Sequence, residues 1–214
     1  KKMKILVLGK NSKIFKKIKF RIKKKDLLFL NRDEIKEALK NQGNKVLKKK
    51  FKDVKIVINF IGEYNDNSKM LFSNYTIIKK INNIIYKHNK KFIFIHFSSI
   101  GVYGLYYMNL SKIILSEKSK LKYKNFYQQT KIQAEKFLGK KKDNSKIIII
   151  RLSTIFELNW KLQLIYCILK NKLSNYFLYK TFADGIYNFI FLSDLNKIIN
   201  DIIFGKINKS EILN

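Results

Sequence analysis

Apolar residues along this chain fall into two rhythms. Short runs rich in Ile, Val, Leu and Phe suit strands buried on both faces, and stretches with apolar positions every three or four residues suit amphipathic helices. The strand-like runs are residues 3 to 8, Asp26 to Leu30, Lys55 to Phe60, Lys91 to Phe97, Ile147 to Arg151 and Phe189 to Asp194. The predicted helices are a Lys-rich segment after Phe15, the short Asp33 to Leu39, residues 69 to 86, and a segment opened by Tyr127 with Ala134, Phe137 and Leu138 on its apolar face. Asp33 and Glu34 suit the first turn of their helix, and Asp194 suits a cap or anchor for the one that follows it. Lys40 to Lys52 has little pattern beyond Val46 and Leu47, a pair that fits a short strand. From Ser153 onward the alternation is no longer clean.

Strand and helix alternate from residue 3 to 151, which predicts an α/β fold, a Rossmann-type doubly wound parallel sheet with helices on both faces. A length of 214 residues suits one domain, residues 1–214, with enough chain to bury a sizeable core.

Charge adds a possible partner, then composition removes most of its weight. Against 15 Asp and Glu stand 46 Lys and Arg, a net +31 that by itself suggests a polyanion. Yet only Arg21, Arg32 and Arg151 are arginines, proline is absent, and Ile, Asn, Phe and Tyr abound. Those are the residues that A/T-rich codons favour, so nucleic acid is not the expected partner. Cys167 is the only cysteine and sits in an apolar run, where a core thiol in a reducing compartment is the default. His88 and His96 are the only histidines, which leaves no zinc-ligand cluster; His96, inside a strand, reads as a satisfied core residue. Trp160, the only tryptophan, also reads as core. No apolar run approaches the ~20 residues of a membrane span, and the first one stops at Gly9, short of a signal peptide. A cytoplasmic protein is expected.

Chemistry is most legible between residues 91 and 131. The strand ending at Phe97 runs into Ser98-Ser99-Ile100-Gly101-Val102-Tyr103-Gly104, and Tyr127 and Lys131 stand four apart on one helical face. A hydroxyl at a strand end with a phenol and an ammonium on a helix suits acid/base work on a carbonyl or alcohol. The ammonium is expected to lower the phenol's pKa from ~10, and the serine to hold the reacting oxygen.

SSIGVYG followed by YQQTK resembles the extended short-chain dehydrogenase/reductases, the nucleotide-sugar epimerases, dehydratases and reductases. Weaker matches follow the family's order: Ile5 to Gly9, Val57 to Gly62, Asn74, Ile150 to Ser153 and Phe191 to Leu195, so that the resemblance spans roughly residues 3 to 204. It implies catalysis by Ser99, Tyr127 and Lys131, with Ser99 preferred to Ser98 because it lies three residues before Val102. It implies a cofactor site at Gly9, Asn11, Ser12, Ile14, Asn31, Arg32, Phe60, Ile61 and Gly62, completed by Tyr127 and Lys131. Asn74 reads as structural. The substrate implied is a nucleotide-linked sugar, the cofactor NADP or NAD. NADP is slightly favoured because Asn31 lacks the anion that accepts from a ribose 2′-OH, while Arg32 suits a 2′-phosphate.

The resemblance has gaps. Of the family's GxxGxxG only Gly9 remains, with Ser12 and Phe15 at the other glycine positions, and the substrate region after about residue 152 looks abbreviated. Asn11 and Ser12 are expected to cap the helix that follows. A non-catalytic relative serving as sensor or scaffold is therefore the alternative, with a basic nucleic-acid-binding module more remote. Relatives that dimerise through a bundle including the tyrosine helix make a homodimer an open expectation.

Overall fold

The computed structural model describes residues 3–40, 51, 53–104, 115–140, 144–156 and 189–214. The expected strand at Val46 and Leu47, the core roles of Trp160 and Cys167, and most of the substrate region lie outside the described residues.

Six parallel strands form the main sheet, in the order β2-β1-β3-β4-β5-β8. They are β1 (Lys4–Leu8), β2 (Leu27–Leu30), β3 (Val54–Asn59), β4 (Ile93–Ser99), β5 (Lys146–Leu152) and β8 (Glu211–Leu213). Two further short strands, β6 (Thr154–Phe156) and β7 (Phe189–Phe191), pair parallel to each other. Among the described residues the helices are α1 (Arg32–Lys40), α2 (Asn67–Leu71), α3 (Ile77–His88), α4 (Phe126–Gly139) and α5 (Leu192–Ile203). No helix among the described residues is long and apolar enough to cross a membrane.

The strand runs lack polar interruptions because both sheet faces are covered. Successive side chains point to opposite faces. Leu6, Leu8, Val57, Phe94, Ile147 and Ile149 pack with Ile77, Ile78, Ile81 and Ile85 of α3 and with Ala134 and Leu138 of α4. Their neighbours Ile5, Val7, Ile56, Ile58, Ile95, Phe97, Ile148 and Ile150 pack on the other face with Leu195, Ile199 and Ile202 of α5. Thus helices on both sides fix the strand ends.

Four expectations need correction. No α-helix follows β1: among residues 10–26 only the 3₁₀ turns Phe15–Lys17 and Lys24–Asp26 form. Residues 10–25 hold nine Lys and Arg and no acid, so a helix would stack like charges at three- and four-residue spacing. Ile18, Phe20 and Ile22 instead follow a two-residue period and pack on the sheet face of α5. Asparagines of α5 pin this strap: Asn196 Oδ1 accepts from Lys19 N–H at 2.8 Å, and Asn200 Oδ1 accepts from Arg21 N–H at 2.9 Å. Nor do Asn11 or Ser12 cap a helix, since Ile14 precedes the 3₁₀ turn and no side chain caps it.

The second correction concerns residues 69 to 86, which divide into α2, a π-helical turn at Phe72–Thr76, and α3. The turn buries Asn74, whose side chain holds both the N–H and C=O of Glu63, at 2.9 and 2.8 Å, and donates to Thr130 Oγ1 at 3.0 Å. Third, Asp194 lies in the first turn of α5, where it suits the dipole, but Phe191 holds the cap position. Fourth, His96 is only half satisfied. Its Nδ1 meets Asn59 Nδ2 at 3.4 Å, while Nε2 is buried with no partner. Burial, and next the charge of Lys131, hold its pKa well below the ordinary range, so it is neutral.

Candidate functional site

Strand order reverses between β1 and β3, and the crevice at such a switch point, outside the carboxyl ends of the strands, is where open α/β sheets take ligands. A cavity of about 1410 Å³ lies there. It exceeds the ~300–1,000 Å³ that suits a drug-sized molecule. Gly9, Asn11, Ser12, Ile14, Asn31, Arg32, Phe60, Ile61, Gly62, Ser99, Tyr127 and Lys131 all border it. The structure therefore brings every residue assigned above to catalysis or to the cofactor site to one cleft.

Gly9 makes the first wall. Its N–H donates to Leu30 C=O of β2 at 2.7 Å, and its φ is +91°. A Cβ there would stand 3.0 Å from Ile61 N and Phe60 C, so only glycine lets the β1 turn lie against the β3 turn. Asn59 fixes that second turn by accepting from Ile61 N–H at 3.1 Å. Phe60 and Phe97 border the cavity with ring centroids 4.9 Å apart, and Phe15 packs on Phe60 at 5.8 Å. The aromatic at the position of the third family glycine thus joins the core beneath the cleft. In place of a helix N-terminus, the β1 side presents the turn Asn11–Ile14, which includes Lys13.

The opposite wall is α4. Asn125 caps it, accepting from Gln128 N–H at 2.9 Å, and Gln128 Oε1 accepts in return from Lys124 N–H at 2.6 Å. Asn74 grips the helix through Thr130, whose hydroxyl donates to Tyr127 C=O at 2.8 Å. This sets Tyr127 against the end of β4. Of the two serines there, it is Ser99 whose hydroxyl acts on the Tyr127 phenol, pulling its pKa down; Ser99 Oγ accepts from Gly101 N–H at 3.1 Å. Ser98 Oγ is buried without a partner.

Lys131 is buried behind the phenol. Its ammonium donates to Phe97 C=O at 2.9 Å and lies 5.8 Å from the Tyr127 ring centroid. Burial brings its pKa down to about 8, against the upward pull of Glu135. The expectation that Lys131 lowers the phenol's pKa is corrected: burial raises it, and the opposing influence is the nearby Ser99 hydroxyl. The ammonium is directed at a backbone carbonyl instead.

Arg32 is not the free arginine that the sequence suggests. Its Nη1 donates to Glu63 Oε2 at 3.0 Å and to Ser73 Oγ at 3.4 Å. Glu63 also borders the cavity and was missed in the sequence. The only local signal was an acid directly after the Ile61-Gly62 turn in a chain with few acids.

A buried pair braces α4 from behind. Arg151 of β5 donates to Glu135 Oε2 through Nη2 at 2.7 Å and to Tyr103 Oη through Nη1 at 2.7 Å. It thereby ties the β5 end to α4 and to the turn after Ser99.

Solved structures share this architecture. The UDP-glucuronic acid 4-epimerase of Bacillus cereus, in complex with UDP-glucuronic acid and NAD, is 18% identical with a TM-score of 0.68, over 99% of this chain and 76% of that one. A dTDP-4-dehydrorhamnose reductase from Clostridium acetobutylicum is 17% identical at TM-score 0.69, over 99% and 74%. The Bordetella bronchiseptica enzyme WbmG, in complex with NAD and UDP, is 13% identical at TM-score 0.68, over 98% and 71%. At such identities the likeness is one of fold. No curated protein matches the chain in sequence. The NAD-binding family described as Male sterility protein does match, over residues 40–202, well over half the chain. The chain belongs to that family, and with it to the extended short-chain dehydrogenase/reductases.

Proposed function

We propose that this protein is an oxidoreductase that uses NAD or NADP to act on a nucleotide-linked sugar, by reduction, epimerisation or dehydration. The observation that carries the reading is the gathering of Ser99, Tyr127 and Lys131 at the edge of one cleft on the sheet's switch point, with the Lys131 ammonium 5.8 Å from the Tyr127 ring centre. The similar structures hold NAD with UDP-glucuronic acid or with UDP, which supports both the cofactor and the substrate class.

The residues present fit a dinucleotide. Gly9 lets the β1 turn approach β3, Lys13 supplies charge for a pyrophosphate, and Phe60 and Phe97 give the cleft an apolar, water-poor base. When bound, the nicotinamide supplies the hydride acceptor or donor. Ser99 holds the sugar oxygen. Tyr127 exchanges its phenolic proton with that oxygen as the carbon gains or loses hydride, giving alcohol or ketone. Lys131, fixed on Phe97 C=O, keeps positive charge behind the phenol.

To test this, the protein is mixed with NADH or NADPH and a set of UDP- and dTDP-linked keto sugars, and nicotinamide absorbance is followed. Oxidation of the cofactor by one of these sugars, abolished by Tyr127→Phe, supports the proposal. Absorbance that never changes and no epimeric or dehydrated product from the UDP- and dTDP-linked sugars incubated with NAD, together with intact cofactor binding, favour a second reading, a non-catalytic dinucleotide-binding scaffold. That reading draws on one observation, the loss of the helix after β1.

A further inference from the structure

We propose that Glu63 is the residue that chooses between NAD and NADP, by holding Arg32 and reading the adenosine ribose itself. The inference rests on the dinucleotide reading above and deepens it. It reverses the NADP preference that Arg32 suggests when considered alone.

The end of β2 carries Asn31, an uncharged residue, so the anion that would accept from a ribose 2′-OH is missing from that strand. The β3 end supplies one. Glu63 follows the Ile61-Gly62 turn, borders the same cavity, and meets the Arg32 guanidinium at 3.0 Å. It is held from several directions. Its Oε1 accepts from Tyr64 N–H at 3.0 Å and Asn65 N–H at 3.2 Å, and its backbone is clamped by Asn74 at 2.9 and 2.8 Å. Burial pulls its pKa up, but the hydrogen bonds from Asn65, Arg32 and Tyr64 prevail and keep the carboxyl below its ordinary range, so it is an anion at neutral pH.

The pair offers one acceptor and one donor side by side at the cavity wall, with side chains 36% (Arg32) and 18% (Glu63) exposed. That is the complement of a vicinal diol, which gives a hydroxyl hydrogen to the carboxylate and takes one from the guanidinium. A 2′-phosphate has no hydrogen to give at neutral pH. It would bring close to two negative charges beside a fixed carboxylate and would have to draw Arg32 away from it. The nearby cation Lys10 does not relieve this, since it already pairs with Glu34 at 2.8 Å.

Affinities for NAD and NADP are measured by calorimetry for the parent, Glu63→Gln, and Glu63→Gln with Arg32→Ala. Glutamine keeps the amide oxygen for Tyr64 and Asn65 but drops the charge. The parent should bind NAD roughly tenfold or more tighter than NADP, and Glu63→Gln should close or invert that ratio as Arg32 is released. The double variant should lose the NADP gain. A denaturant midpoint close to the parent's would show that Glu63→Gln leaves the fold intact, and NAD itself should bind this variant more weakly as the ribose loses its anionic acceptor. Binding of both cofactors with a ratio that Glu63→Gln leaves unchanged overturns this inference and spares the dinucleotide reading. Failure of the parent to bind either one overturns both.

Discussion

Lys131 is anchored by Phe97, whose backbone C=O takes its ammonium at 2.9 Å, while the Tyr127 ring centre is 5.8 Å away. A cation tied to a strand carbonyl in a buried position is a strained choice for stability and a useful one for holding charge behind a phenol.

The strain has a pH signature. Lys131 titrates at about 8 in the folded chain against an ordinary 10.5. Below about pH 8 both folded and unfolded forms carry the proton, and the fold bears the cost of a buried ammonium. As pH rises from about 8 toward 10.5 the folded form gives up the proton first, so this lysine's contribution to stability rises through that window. Lys131→Met should therefore lose roughly 2 kcal/mol of its stability relative to the parent between about pH 7 and about pH 9.5. Urea unfolding of both proteins at the two pH values measures it. A difference that does not change with pH contradicts the burial argument.

Ser99 is the group that offsets the burial of the Tyr127 phenol, so its loss should act through pH as well as rate. Ser99→Ala should lower turnover by roughly 10²-fold and move the rising limb of the pH–rate profile to higher pH. Tyr127→Phe should abolish turnover and leave dinucleotide affinity nearly unchanged. A Ser99→Ala profile lowered uniformly, with its limbs in place, would show that the serine does not tune the phenol.

Two glycines of the cleft should respond differently to the same change. At Gly9 a methyl group meets the β3 turn backbone at 3.0 Å with φ at +91°, so Gly9→Ala should destabilise by roughly 2–4 kcal/mol. At Gly62 the nearest atoms, Lys131 Nζ and Asn74 Oδ1, are at 3.7 and 3.8 Å, so Gly62→Ala should stay within about 1 kcal/mol. Denaturant midpoints of the two variants check the contrast, and equal losses would refute it.

The Arg151–Glu135 pair is almost wholly buried, with side-chain exposures of 2% and 4%. Glu135→Ala should cost roughly 3–5 kcal/mol, because it strands a guanidinium in the core. Combining Glu135→Leu with Arg151→Met should recover most of that loss. Should the single and double replacements prove equally destabilising, the penalty would come from packing and not from the stranded charge.

Much of the scaffold was legible because burial on both faces writes strands as unbroken apolar runs: β1, β3, β4 and β5 fall within a residue or two of their runs. The Ser99, Tyr127 and Lys131 grouping was legible because a strand end and a helical four-residue spacing are local patterns. The Lys-rich helix expected after Phe15 is the exception. The chain's own residues opposed it, with nine cations and the two-residue period of Ile18, Phe20 and Ile22. Arg32–Glu63 and Lys131–Phe97 span 31 and 34 residues, and no local pattern announces which cation meets which acceptor. β8 is three residues long and gains its place only by pairing with β5.

The most direct test of the account is calorimetric titration of the protein with NADH and NADPH at low and at moderate salt. With Lys13 at the cleft and no helix N-terminus after β1, binding should be saturable below millimolar concentration and should weaken clearly as salt screens the pyrophosphate contacts. Absence of binding by either dinucleotide at millimolar concentration, in both salts, would contradict it.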